Sequence, residues 1–128
     1  MATLQAMEDE QVWPAEIRLL ENRRALKIKY KNDEVIELSA EYLRVFSPSA
    51  EVQGHAPDQR KTQYGKRNVE IIDVKPVGNY AIKLFFDDLH VTGIYTWQYL
   101  HELHKEHEHN WHNYLQELNK KGLSRDFS

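Results

Sequence analysis

The chain has 128 residues, a formal charge of −3 and no cysteine. That length fits one domain of ordinary size, and a 41% hydrophobic content is enough for a core. The charge balance argues against a nucleic-acid or membrane-surface binder. Without cysteine there is no disulfide, no thiolate nucleophile, and no thiolate-held zinc or iron–sulfur cluster. No apolar run of about 18 residues and no secretory leader is visible, so the expected location is the cytoplasm.

Residues 1–14 are acidic and aperiodic, a loose lead before a domain expected over residues 15–123, with 124–128 as a tail. Glu16 to Leu20 begins a strand and Glu21-Asn22 turns it. Ala25 to Tyr30 alternates Leu26, Ile28 and Tyr30 against Lys27 and Lys29, the period of two of a half-buried strand. Lys31-Asn32-Asp33 is a hairpin turn, Glu34 to Leu38 returns, and Ser39 caps a helix of about two turns that Pro48 ends. The segment from Pro48 to Asn68 has little core-forming material, carries Arg60, Lys61, Lys66 and Arg67, and is expected to be mobile.

Tyr80 to Phe86 then alternates again, Asp87-Asp88 turns, and His90 to Tyr95 returns. Thr96 caps a helix predicted to run unbroken to Lys121, stopped by Gly122, with Leu100, Leu103, His107, Trp111, Tyr114 and Leu118 on one face. At 1.5 Å per residue such a helix is about 40 Å long. Its far end should project, which makes Trp111 and Tyr114 candidates for a contact between copies of the chain.

The order of elements repeats. Ala25 placed on Ala81, an offset of 56, sets Leu26 on Ile82, Ile28 on Leu84, Tyr30 on Phe86, Val35 on Val91 and Leu38 on Ile94. Upstream, Glu16-Ile17 matches Glu70-Ile71 if two residues are inserted in the later turn. The reading is an α+β fold: two β-rich strand–strand–strand–helix units with short antiparallel sheets and a long C-terminal helix. Any two hairpins of period two align about this well, so duplication and coincidence both stand on sequence alone.

The last helix holds five histidines. His101, His104, Glu108 and His112 share one arc of the helical wheel, where i, i+4 pairs can chelate a divalent metal; Lys105 in the same arc opposes it. A solvated polar face opposite an apolar stripe needs no further reason and is the reading preferred over a metal site. His107 sits on the apolar face as a packed histidine. Gly65-Lys66-Arg67 is not a phosphate loop, and neither H-E-x-x-H nor G-x-S-x-G occurs.

LRVFSPSAEVQGH, then GKR, then PVGNYAIKLFFDDLHVTGIYTWQYL closely resembles the gamma-butyrobetaine hydroxylase-like N-terminal domain family, in its stand-alone bacterial form of unknown function. The resemblance covers about Ile17 to Leu103. It implies a domain that also precedes the catalytic domain of carnitine-synthesis oxygenases and is found attached to P-loop iron–sulfur carrier proteins. The oxygenase version holds zinc through C-x-C-x-x-C after a Leu-Arg pair and a histidine after an acidic turn. Here Leu43-Arg44 is followed by Ser47, Ser49 and Val52 at those positions, with only His90 kept, so no zinc or other cofactor is expected.

The resulting expectation is a non-catalytic binding module accessory to iron–sulfur or iron-enzyme maturation. Its partner would be a protein, such as an iron–sulfur carrier or iron enzyme. The candidate surface comprises Arg44, Glu51, His55, Lys66, Arg67 and His90. Two alternatives remain: a small metal-binding protein using His101, His104, Glu108 and His112, and an enzyme acting on a small anionic molecule.

Overall fold

A computed structural model describes residues 13–54 and 60–126. Two three-stranded antiparallel sheets form, in the orders β1-β2-β3 and β4-β5-β6. The first contains β1 (Pro14–Leu19), β2 (Ala25–Tyr30) and β3 (Val35–Ser39). Two helices follow, α1 (Ala40–Val45) and the single turn α2 (Ala50–Gln53). The second sheet contains β4 (Ile71–Val77), β5 (Ala81–Phe86) and β6 (Val91–Thr96), and α3 (Trp97–Lys105) and α4 (His107–Lys121) close the chain. The fold is α+β, as the alternation of the sequence implies.

Each middle strand buries one face, Leu26, Ile28 and Tyr30 on β2 and Ile82, Leu84 and Phe86 on β5. These six join Tyr42, Leu43, Tyr95, Leu100 and Leu103 in one core. Neither sheet alone could cover its own apolar face, and each uses the other unit to do so. Ser39 Oγ accepts from Tyr42 N at 3.0 Å and Thr96 Oγ1 accepts from Tyr99 N at 3.1 Å, so both helices are capped as expected.

The repeat extends to individual hydrogen bonds. Tyr30 N donates to Glu34 O at 2.8 Å in one hairpin, and Phe86 N donates to His90 O at 3.1 Å in the other. Tyr42 Oη donates to Leu103 O and Tyr99 Oη donates to Phe46 O, both at 2.6 Å. Those four residues exchange places at an offset of 57, as partners do across a two-fold axis. Two hairpins of coincident period would not exchange bonds in this way, and the structure favours duplication.

The gapless alignment needs two corrections. A bulge in the β5–β6 pairing puts one extra residue in β6, because Phe85 faces Val91 while Lys83 faces Ile94. Past the bulge Leu38 corresponds to Tyr95, not Ile94, through their partners Leu26 and Ile82. Upstream, Glu16 and Ile17 correspond to Asp73 and Val74 rather than to Glu70 and Ile71, since they face Lys29 and Ile28 as Asp73 and Val74 face Phe85 and Leu84.

The last helix is not continuous. It breaks at Glu106, whose φ of −98° and ψ of 16° lie outside the helical range. The buried Tyr42 hydroxyl takes the Leu103 carbonyl and accepts from Asn110 Nδ2 at 3.0 Å, so a side chain occupies the ladder at the break. After it, Tyr114 and Leu118 turn onto Val45 and are buried. Tyr114 is therefore core, its hydroxyl donating to Gln63 O at 2.9 Å, which removes it as a surface between copies. His107 is exposed rather than packed inside, although its ring lies 4.5 Å from that of Tyr42.

The described parts of the basic segment and of the chain's last residues lie against each other. Gly65 N donates to Ser124 O at 2.9 Å and Arg67 N to Arg125 O at 3.0 Å, so the described parts of both hold each other. Arg125 also makes a two-pronged pair with the buried Glu41, at 2.7 and 2.6 Å. Arg60 pairs with Glu117, Lys66 with Asp88 and Arg67 with Asp126, so three of the four basic residues of the cluster are paired.

Candidate functional site

Pro48 ends α1 and sends the chain back across the tip of the β5–β6 hairpin. Gly93 permits that approach: a Cβ there would sit 3.1 Å from Ser49 N and 3.2 Å from Pro48 C. His90 is buried under this crossing. Its Nε2 lies 3.0 Å from Ser47 Oγ and 3.4 Å from Ser49 Oγ, and its Nδ1 lies 3.3 Å from Glu51 Oε2. Burial pushes the imidazole below its ordinary pKa, and nearby Arg44 adds to this against the opposing pull of Asp88 and Glu51. A neutral ring with its proton on Nδ1 accepts from Ser47 and faces the Glu51 carboxylate with a donor.

Asp88 is the second centre. Its Oδ2 accepts from Arg44 Nε at 2.9 Å and from Lys66 Nζ at 2.6 Å, and its Oδ1 accepts from His90 N at 3.2 Å. Burial raises the Asp88 carboxyl, but the bonds from Lys66 and Arg44 outweigh it and hold it below the usual carboxylate range. Arg44 is itself buried, and among the described residues its Nη1 has no partner. Beside this group opens a cavity of about 340 Å³, lined by Arg44, Glu51, Val52, Lys61, Gln63, Asp88, Leu89 and His90.

The structure thus unites Arg44, Glu51, Lys66 and His90. Arg67 lies apart, paired with Asp126 near the C-terminus, and His55 falls outside the described residues. Sequence reading missed Asp88, Leu89, Lys61 and Gly93. Asp88 carried a signal in being two residues from His90 in a tight turn, and Lys61 in belonging to the basic cluster; Gly93 carried none without the fold.

The histidine arc on the last helix does not assemble. The break at Glu106 interrupts the wheel, and His101 turns its Nε2 to Glu34 Oε1 at 2.9 Å. Among the described residues no three His, Asp or Glu side chains are placed to hold a metal ion. Also among them, no helix is long and apolar enough to cross a membrane.

Two strand–strand–strand–helix units that share one core, with a histidine corner where they meet, define a duplicated α+β domain. The chain belongs to the gamma-butyrobetaine hydroxylase-like N-terminal family, whose model matches residues 17–101. It is similar to a protein solved by NMR in solution, 48% identical, with a TM-score of 0.75 over 89% of this chain and 90% of that one. A second NMR structure is 42% identical, with a TM-score of 0.75 over 88% and 84%. A crystal structure from Acidithiobacillus ferrooxidans, a DUF971-family protein of unknown function, is 37% identical, with a TM-score of 0.62 over 74% and 96%. No curated protein matches.

The corner does not suit the zinc that the family resemblance brings with it. Ser47 and Ser49 already occupy His90 Nε2, and Val52 has no donor atom.

Proposed function

We propose that this protein is a non-catalytic binding module that docks a protein partner on the cleft at His90, with Leu89 as its apolar anchor. The observation that carries this is Leu89, 89% exposed at a φ of 68° on the rim of the cleft. The equivalent place in the first hairpin, with a φ of 70°, is held by Asp33, a residue type that tolerates left-handed backbone. A leucine there costs the fold about 1–2 kcal/mol and gains almost no burial in return. An exposed apolar side chain held on a cleft rim is a surface that a partner can cover.

The His90 ring supports binding over catalysis, because both of its nitrogens are engaged within the chain and neither faces a substrate position unpartnered. The family's occurrence beside iron–sulfur carriers and iron oxygenases makes those proteins the first partners to try, in an accessory role in iron-enzyme or iron–sulfur maturation. The test is capture on immobilised wild-type and Leu89→Asp protein, with the retained proteins identified. The wild type should retain an iron–sulfur carrier or iron enzyme, and Leu89→Asp should lose it at unchanged melting temperature. Equal retention by both would overturn the assignment of this surface.

A further inference from the structure

The geometry points to a carboxylate-binding site in the cleft, with the Arg44 guanidinium as its principal ligand-holding group. This deepens the binding reading above and rests on it, by naming the chemistry the cleft recognises.

The Arg44 side chain is 8% exposed, yet among the described residues its guanidinium makes one hydrogen bond, from Nε to Asp88. Nη1 is buried and has no partner among the described residues. An arginine has five N–H donors, and leaving a buried, charged donor unmet costs more than losing an exposed bond. Asp88 is already shared: one oxygen takes both Arg44 and Lys66, and the other takes His90 N.

The Arg44 guanidinium therefore has more donors than the acceptors it meets among the described residues. Lys61 adds a further cation to the lining, with no partner for its ammonium among the described residues. Glu51 is the one opposing charge with room to move, its side chain 80% exposed and directed to His90. A ligand that relieves this imbalance brings acceptors in a plane. A carboxylate does so, because its two oxygens match the guanidinium fork. The cavity admits the carboxylate of a small organic acid or that of a peptide chain end; the recognising chemistry is the same.

The experiment follows the backbone amide signals and the arginine Nε–H signals of the wild-type protein by NMR while acetate, succinate or inorganic phosphate is added. The same titration uses a short peptide with a free and with an amidated C-terminus. Carboxylates should give saturable shifts at Arg44, Lys61 and Gln63, with phosphate weaker. Lys61→Ala should weaken the binding roughly tenfold, the scale of one lost charge contact. Arg44→Lys keeps a cation but loses the fork and should abolish saturation.

A preference for the free-ended peptide over succinate assigns the site to a chain terminus, and the reverse assigns it to a small acid. Should Arg44→Lys fail to fold, the wild-type and Lys61→Ala titrations still decide. No saturable shift at Arg44, or phosphate binding as tightly as any carboxylate, would overturn the inference. Saturation with failed protein capture would sink the partner reading alone; capture without saturation would sink this inference alone.

Discussion

Replacing Gly93 with alanine tests whether the crossing over His90 is as tight as the structure shows. The added methyl would meet the backbone of Pro48 and Ser49 at 3.1–3.2 Å, inside ordinary van der Waals contact. Backbone cannot swing aside as a flexible side chain can, so the Ser47–Ser49 segment has to lift by a few tenths of an ångström. Overpacking of this kind costs about 1–3 kcal/mol, a sizeable part of the roughly 5–15 kcal/mol that holds a domain together. Ser47 and Ser49 are also the groups that cover His90 Nε2, so lifting them admits water to the ring. Burial is the chief cause of the depressed His90 pKa, which should then move up toward its ordinary value. Urea unfolding would measure the first effect and NMR titration of the His90 ring the second. A Gly93→Ala protein within about 0.5 kcal/mol of wild type, with His90 titrating unchanged, would refute the account of the corner.

Arg125→Ala should destabilise the protein by about 3–5 kcal/mol, because it strands the buried Glu41 carboxylate. Combining Glu41→Leu with Arg125→Met should recover most of that loss in the same urea assay, and a double variant no better than Arg125→Ala would reject the reasoning. Since His90 binds its proton less readily folded than unfolded, stability should rise with pH from the folded pKa up to about 6.5 and then level. Urea midpoints across that window should show the dependence and a His90→Gln protein should lose it; an unchanged slope in the variant assigns the effect to other histidines. Protein purified without chelators should carry no stoichiometric zinc, since Ser47, Ser49 and Val52 replace the family's thiolates; elemental analysis finding one zinc per chain would contradict this.

Strands and caps were legible because their signals are local. The alternation of Leu26, Ile28 and Tyr30 and of Ile82, Leu84 and Phe86 marks the two middle strands, and Ser39 and Thr96 stand where helices need a side-chain acceptor. The bulge in β6 was not legible, because one extra residue changes neither composition nor alternation enough to be seen. Nor was the break at Glu106: no glycine or proline marks it, and its cause is a tyrosine more than sixty residues earlier. Residues 60–68 read as loose because they are polar, but their order comes from Ser124 and Arg125 at the other end of the chain. At the site, Arg44, Glu51, Lys66 and His90 were named from a family pattern, while Asp88 read only as a turn residue and the fold shows that it joins three of them.

Duplication explains why the site lies where it does. Arg44 and His101 are equivalent at the offset of 57, and each reaches from its helix to the hairpin tip of the other unit, Arg44 to Asp88 and His101 to Glu34. On the His101 side the chain continues as helix through Lys105, and the pair is a partly exposed contact at the edge of the core. On the Arg44 side Pro48 stops the helix, and the chain folds back across the opposite hairpin where Gly93 admits it. That crossing buries His90 and Arg44 together and leaves Arg44 Nη1 without an acceptor among the described residues. One ancestral contact has thus stayed structural in one copy. In the other a cleft opens beside it, with Pro48 and Gly93 at the crossing that sets the two sides apart.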